Sequence, residues 1–110
     1  MLTLNEVKKN PLIQEFIKRT EISLAELSYT DHGFRHSNLV AERAKIIARK
    51  IGLNKKDAEL SAIAGFCHDM GNFLGRSYHN YLGALLFFQV FKSRGTILFL
   101  QIIFIIWVDK

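Results

Sequence analysis

The sequence predicts an all-α domain, and three observations support that fold class. Apolar residues recur at helical spacing along most of the chain, and no alternating strand pattern occurs before residue 95. One proline and seven glycines among 110 residues leave room for long helices and few turns. A hydrophobic content of 49% in a chain of this length predicts one folded domain with a modest core.

The first predicted helix spans about residues 11–27. Asn10 is a suitable N-cap, and Pro11 suits the first helical position because proline lacks a backbone N–H. The expected buried face consists of Ile13, Phe16, Ile17, Leu24 and Leu27. The segment SYTDHG (28–33) is predicted to be a loop, since aspartate and glycine are common turn residues.

A second helix is predicted over about residues 35–51, with Gly52 as its stop. Its apolar face is expected to consist of Val40, Ala44, Ile47 and Ile51. His36 lies four residues before this set begins, so helical spacing predicts that His36 shares the buried face.

The third predicted helix, about residues 55–69, is the expected centre of a compact helical bundle. It is rich in small residues that let helices approach closely, namely Ala58, Ser61, Ala62, Ala64 and Gly65. Asn54 and Asp57 resemble a capping box with aspartate in place of glutamate, and Gly71 is expected to end the helix. A fourth helix is predicted over about residues 78–91.

The last sixteen residues differ in character from the rest of the chain. The run TILFLQIIFIIWV (96–108) has one polar side chain after its opening threonine and no amphipathic period. It is shorter than the ~20 residues of a helical membrane span. A span, a buried helix or strand, and a tail outside the original design of the domain all stay open. The predicted organisation is an N-terminal helix (1–28), a core (29–94) and an apolar tail (95–110).

Charge and cysteine content narrow the function classes. The net charge of +5 suits an anionic partner, but the basic residues are dispersed among acidic ones. That pattern is typical of solvated helix faces, so we expect no dedicated nucleic-acid site. A membrane partner is the less favoured alternative because the apolar run 96–108 is short for a span. The single cysteine, Cys67, excludes an internal disulfide and is expected to be a small buried hydrophobe. No signal peptide is evident, which favours a reducing cytoplasm.

Histidines near predicted helix ends form the candidate functional site. GFCHDMGN (65–72) places His68 beside Asp69 at the end of an apolar helix, where ionisable groups are costly unless paired or metal-bound. His36 begins the second helix and His79 lies in the first turn of the fourth, so three elements could converge. Such ligands suit divalent Mn, Fe, Co, Ni or Zn. A single histidine is more often an ordinary polar residue than a metal ligand, and for His36, His68 and Asp69 together composition and spacing leave both interpretations open.

Three ordered segments resemble the HD-domain superfamily of metal-dependent phosphohydrolases. They are HGFRHSNLVAERA, AIAGFCHDMGN and HNYLGALL, and the resemblance covers about residues 29–92. The family motif is H…HD…D on a compact helical bundle. Its first histidine corresponds to His36, and its HD pair corresponds to His68 and Asp69. The resemblance implies that these three residues bind a divalent metal ion, whether Mn, Fe, Co, Ni, Zn or Mg.

The resemblance also implies a reaction and a substrate class. It implies hydrolysis of a small phosphorylated substrate, such as a nucleotide, with His68 and Asp69 as catalytic residues. His79 belongs to a segment similar to the H-x-x-x-G-A segment of the family, which implies a contact with the substrate or a second metal. Arg76 or Arg35 could hold a phosphate group.

Two further polar residues flank the motif. His32 is expected to be a loop residue or a partner of a metal ligand, although it could reach the site if the second helix begins early. Asn72 is expected to stabilise the turn after the HD pair rather than to contact substrate.

The C-terminus departs from the family pattern, because the family closes its metal site with an aspartate on a later helix. Here only Asp109 follows, 26 residues after Gly83. We therefore expect an HD domain with an altered or truncated C-terminal third. It would be either an active phosphohydrolase or an inactive domain that binds metal or nucleotide without turnover. An exposed apolar tail would suit a homodimer contact.

Overall fold

The computed structural model describes residues 2–29, 32–75 and 79–92, without the side chains of residues 79–81. Within these residues lie five helices: α1 (Leu4–Lys9), α2 (Pro11–Glu26), α3 (Phe34–Lys50), α4 (Lys55–Cys67) and α5 (His79–Phe91). The described ranges contain no strand, so the predicted all-α fold class is confirmed. In the same ranges, no helix combines the length and the apolar character that a bilayer span requires.

The N-terminal part contains two helices where the sequence predicted one. α1 begins with a capping box, in which Thr3 Oγ1 accepts the N–H of Glu6 at 3.2 Å and the Glu6 carboxylate accepts the N–H of Thr3 at 3.3 Å. The Asn10 side chain accepts two backbone N–H groups of the first turn of α2, which confirms its predicted role as N-cap. The expected burial of Leu27 is wrong, because α2 ends at Glu26 and leaves Leu27 58% exposed.

The predicted buried face of α3 is wrong at its C-terminal end, whereas Val40 and Ala44 are partly buried and Ala44 lies against Gly65 of α4. Ile47 and Ile51 were expected in the core, yet they are 59% and 70% exposed. α3 instead buries Ser37, Ala41 and Ala48. The large aliphatic side chains of this helix therefore face solvent near its C-terminal end, while small side chains face the neighbouring helix.

Close packing between α3 and α4 explains this choice of face. A methyl group added at Gly65 of α4 would lie 3.1 Å from the carbonyl oxygen of Val40 and 3.3 Å from the Cα atom of Ala41. Helices that approach this closely exclude large side chains from the contact. After α3, Gly52 adopts a φ of 94°, which confirms its predicted role as the helix stop.

α4 is the central helix, as predicted. Eight of its 13 residues are buried, and they occupy every side of the helix in its second half. Asn54 Oδ1 accepts the N–H of Asp57 at 2.8 Å, which confirms the N-cap. The helix ends at Cys67, earlier than predicted and well before Gly71, and residues 68–74 form successive turns. Cys67 is fully buried as expected, and burial raises the pKa of its thiol.

A single core joins the N-terminal helices to the later ones. It includes Leu2, Val7, Ile13, Ile17, Ala41, Ala62, Ile63, Ala64, Phe66, Cys67, Met70 and Phe87. The predicted division into residues 1–28, 29–94 and 95–110 remains a prediction. The apolar tail and the homodimer contact proposed for it lie outside the described residues.

Candidate metal centre

The turn that follows α4 carries Asp69 and is held by hydrogen bonds from two sides. Asn72 Nδ2 donates to the backbone carbonyl of Asp69 at 3.0 Å and to its Oδ1 atom at 3.3 Å. From α2, the buried Thr20 hydroxyl donates to the carbonyl of Met70 at 3.1 Å and accepts the N–H of Phe73 at 3.3 Å. These bonds fix the turn against α2 and confirm that Asn72 stabilises it.

Three imidazole nitrogens surround one oxygen of Asp69. His32 Nδ1 lies 3.1 Å from Oδ2, His68 Nε2 lies 3.2 Å from it, and His36 Nε2 lies 3.5 Å from it. His32 precedes α3, His36 lies in the first turn of α3, and His68 is the C-cap of α4. The residues in which the sequence predicted a site are thus brought together, and their role as metal ligands stays a prediction.

The arrangement requires a positive charge between His68 and Asp69. His68 Nδ1 lies 2.7 Å from the carbonyl oxygen of Gly65, and since a carbonyl only accepts, Nδ1 carries a hydrogen. In neutral His68, the Nε2 atom then presents a lone pair to the Asp69 carboxylate. Two lone pairs at 3.2 Å repel each other unless a proton or a metal ion lies between them.

The electrostatics keep Asp69 ionised. Burial raises the pKa of its carboxyl group, but hydrogen bonds and positive charge from His68 and His32 outweigh burial, so the pKa falls well below its usual value. The Asp69 side chain is 12% exposed, whereas those of His32 and His36 are each 28% exposed. A small ligand could therefore approach from the imidazole side and meet a carboxylate that retains its charge.

The spacing of these donor atoms fits a divalent transition metal. Bonds of about 2.1 Å to nitrogen or oxygen place adjacent ligand atoms about 3.0 Å apart at a right angle and about 3.4 Å apart at a tetrahedral angle. The three nitrogen distances from Asp69 Oδ2 are 3.1, 3.2 and 3.5 Å. The donor atoms of His32, His36 and Asp69 all lie within 4.8 Å of one another. Mixed nitrogen and oxygen ligands suit Mn, Fe, Co, Ni or Zn.

Other predicted site residues are described in part or not at all. Arg76 and Asp109 lie outside the described residues, and only the backbone of His79 is described, as the first residue of α5. Arg35 is exposed on the first turn of α3, next to His36. The contact between His79 and the metal or substrate therefore remains a prediction, as does the phosphate contact of either arginine.

α5 packs on the turn that carries the site. A methyl group added at Gly83 would lie 3.6 Å from the carbonyl oxygen of Cys67 and 3.6 Å from the backbone nitrogen of Gly71. These two residues flank the HD pair, so Gly83 lets the backbone of α5 approach the turn at van der Waals distance.

Two residues of the site region were underestimated or missed in the sequence. His32 was expected to be a loop residue or a partner of a ligand, and it lies closer to Asp69 Oδ2 than His36 does. Its spacing of four residues from His36 was the available signal. Thr20 was not singled out, although it continues the buried spacing of Ile17 and Leu24 along α2. A polar residue on such a face must find a buried partner.

Comparison with known proteins gives one match. The family described as HD domain matches residues 33–106, a range that contains His36, His68 and Asp69 and ends before Asp109. No curated protein and no solved structure matches the chain.

Proposed function

The chain belongs to the HD-domain family, and from this premise we propose that it is a metal-dependent phosphohydrolase acting on a phosphate ester. The family lies within a superfamily of metal-dependent phosphohydrolases. The observation that carries the proposal is the convergence of three imidazoles on the ionised oxygen of Asp69. Within this set, the donor atoms of His32, His36 and Asp69 all lie within 4.8 Å of one another, and mixed nitrogen and oxygen donors suit a divalent transition metal.

In this proposal, His36, His68 and Asp69 hold the metal ion. A bound divalent ion supplies a Lewis acid that lowers the pKa of a water ligand and polarises a phosphoryl oxygen. The hydrogen bond from His68 Nδ1 to the Gly65 carbonyl orients the ring so that Nε2 faces the site. The hydrogen bond from Asn72 Nδ2 to the Asp69 carbonyl holds the backbone of Asp69 in place.

The lowered pKa of Asp69 supports a role as a permanently charged ligand. A group that binds protons so weakly is a poor general base, because an effective base has a pKa near the working pH. We therefore propose that Asp69 acts in catalysis by anchoring the ion.

The substrate is proposed to be a small phosphorylated compound, with a nucleotide as the leading case. The net charge of +5 favours an anionic substrate in general terms. Arg76 and His79 are proposed to contact the phosphate or a second ion. Arg35 is a further candidate because it is exposed beside His36.

Hydrolysis of p-nitrophenyl phosphate and bis(p-nitrophenyl) phosphate with Mn²⁺ tests the proposal. We expect activity that EDTA removes, and a loss of at least ~100-fold in His68→Ala and Asp69→Ala, since even groups behind the ligands contribute 10–100-fold. The matched control is Glu59→Gln, which alters a carboxylate at the other end of α4 and should retain activity. If both site variants keep their full metal content, the assignment of the ligands is wrong.

The second candidate is an inactive HD domain that binds metal or nucleotide without turnover. Asp109 is the only acidic residue after Asp69, and it lies beyond the matched range. Residues 70–106 of the matched range thus lack the later aspartate of the family pattern, and this departure within the match favours the second candidate. A protein that binds Mn²⁺ stoichiometrically but hydrolyses neither ester would support this candidate over the enzyme.

A further inference from the structure

We propose that His32 is a fourth metal ligand, binding through its Nδ1 atom beside His36, His68 and Asp69. This inference rests on the proposed metal site and names one more residue of it. It does not depend on whether the site hydrolyses a phosphate ester, because it concerns only the atoms that touch the ion.

The position of His32 is the first argument. Its Nδ1 atom lies 3.1 Å from Asp69 Oδ2, the shortest of the three imidazole distances to that oxygen. Its ring packs edge-on against that of His36, with the centroids 5.3 Å apart. Within the described part of the chain, the one set of three donor atoms that lie within 4.8 Å of one another is formed by His32, His36 and Asp69. His32 thus shares one centre with two proposed ligands.

The hydrogen-bonding capacity of Asp69 is the second argument. Its Oδ1 atom accepts from Asn72 Nδ2 at 3.3 Å, and His32, His36 and His68 approach Oδ2. A carboxylate oxygen accepts about two hydrogen bonds, and three imidazole nitrogens lie around this one. If all three nitrogens were hydrogen-bond donors, they would compete for the two acceptor positions of Oδ2. A metal ion beside Oδ2 can accept a lone pair from each nitrogen at once.

The supply of other donors is the third argument. Between Asp69 and Asp109 the sequence contains no aspartate and no glutamate. A four-ligand site that contains His36, His68 and Asp69 has one position left, and an imidazole is a suitable donor for it. His32 already lies at that position, with its side chain only partly exposed.

The test counts the imidazoles bound to Co²⁺ in the full chain. In the proton spectrum of the Co²⁺-loaded protein, each coordinated histidine contributes one strongly shifted ring N–H signal that disappears in D₂O. We expect three such signals in the wild type and two in His32→Ala. The control, Ser28→Asn, changes an exposed residue of the same loop and should retain three.

The possible results distinguish the role of His32 from the existence of the metal site. Two signals in the wild type, unchanged in His32→Ala, would overturn the role of His32 and leave the proposed metal site intact. Three signals that persist in His32→Ala would assign the third imidazole to another histidine and also overturn it. A wild-type protein that binds no Co²⁺ would overturn the metal site itself. The wild-type count is informative even if His32→Ala does not fold.

Affinity gives a second readout. Titration with Co²⁺ should show a loss of more than about 100-fold in His32→Ala, because a residue that only hydrogen-bonds to a ligand contributes 10–100-fold. A loss of less than about 10-fold would contradict direct ligation.

Discussion

The two ends of α4 each present a carboxylate, and the two carboxylates have different partners. At the start of the helix, Glu59 accepts the N–H of Leu4 at 2.7 Å and a hydrogen of the Lys45 ammonium at 3.2 Å. At the other end, Asp69 faces three imidazoles. The hydrogen bond from Leu4 lowers the pKa of Glu59 against the effect of burial, and Lys45 lowers it further.

Partner chemistry, more than burial, separates a structural carboxylate from a candidate metal ligand. A backbone N–H and an ammonium group keep their hydrogens at neutral pH, so Glu59 acts as a structural contact that joins α1 to α3 and α4. Imidazoles exchange protons near neutral pH and then offer lone pairs to a cation. Both carboxylates are ionised, but only Asp69 lies among groups that can replace a proton by a metal.

The largest expected effect follows from Asp69→Asn. The substitution keeps the size of the side chain and removes the negative charge, so we expect Mn²⁺ affinity to fall by at least about 1,000-fold, or ~4 kcal/mol. Isothermal titration calorimetry measures it. The same substitution at the other end, Glu59→Gln, should leave Mn²⁺ affinity within about twofold. Comparable losses of Mn²⁺ affinity in the two variants would show that Asp69 is no more important for metal binding than Glu59.

A lower pH should affect the two ends of α4 differently, and metal binding at the Asp69 end should weaken first. Asp69 stays ionised because its pKa is lowered, so imidazole protonation, near pH ~6.5 for an ordinary histidine, controls metal release. We expect Mn²⁺ affinity, measured by isothermal titration calorimetry, to fall between pH 7.5 and 5.5 by about tenfold for each imidazole ligand, or about 1,000-fold for three.

The stability supplied by Glu59 should persist over that range. A depressed carboxyl pKa contributes stability that is present above the unfolded value of about 4.3 and is lost as the pH falls through the folded value. Thermal unfolding in EDTA should therefore show the difference between wild type and Glu59→Gln at pH 5.5 but little of it below the folded pKa. A difference that vanishes already at pH 5.5 would contradict this assignment.

At neutral pH, Glu59→Gln should reduce the free energy of unfolding by about 1–2 kcal/mol, because it weakens a charge-assisted hydrogen bond to a partly buried N–H. Urea denaturation measures the change. Lys45→Met is a useful companion, since Lys45 is half exposed and its ion pair should contribute under about 1 kcal/mol. A larger effect at Lys45 than at Glu59 would reverse the relative importance of the two bonds.

Among the variants that touch the site or its turn, Thr20→Val should have the smallest effect on Mn²⁺ affinity. This change keeps the shape of the side chain but removes the hydroxyl that joins α2 to the turn after α4. We expect a loss of about 1–2 kcal/mol in stability and a reduction of less than about tenfold in Mn²⁺ affinity. Thr20→Ser, which retains the hydroxyl, should preserve the metal affinity. Equal metal affinity in Thr20→Val and wild type would show that the turn is held without Thr20.

Local rules predicted the helices well. Asn10 and Asn54 cap helices because short polar side chains satisfy the free N–H groups of the first turn, and Gly52 ends α3 because it tolerates a positive φ. Such signals depend on residues within a turn of one another, so they can be found without the fold. α1 was missed because its six residues are too few to show a periodic pattern.

Periodicity alone could not choose the buried face of α3. The rule that large apolar residues are buried favoured Ile47 and Ile51, whereas the close contact with Gly65 is made by the small residues Ala41 and Ala44. The distance between α3 and α4 decided which face is buried, and that distance cannot be predicted from the sequence of α3 alone.

By itself, the sequence determined the helical class, most helix ends and the HD pair at the end of a buried helix. Those features follow from neighbouring residues and from the cost of burying ionisable groups. Only the tertiary structure decided that His32 lies 3.1 Å from Asp69, across 37 residues, and that Thr20 holds Met70 across 50. Contacts between residues so far apart in sequence depend on how whole helices pack, because the distance between two such atoms is set by the directions of all the helices and turns between them.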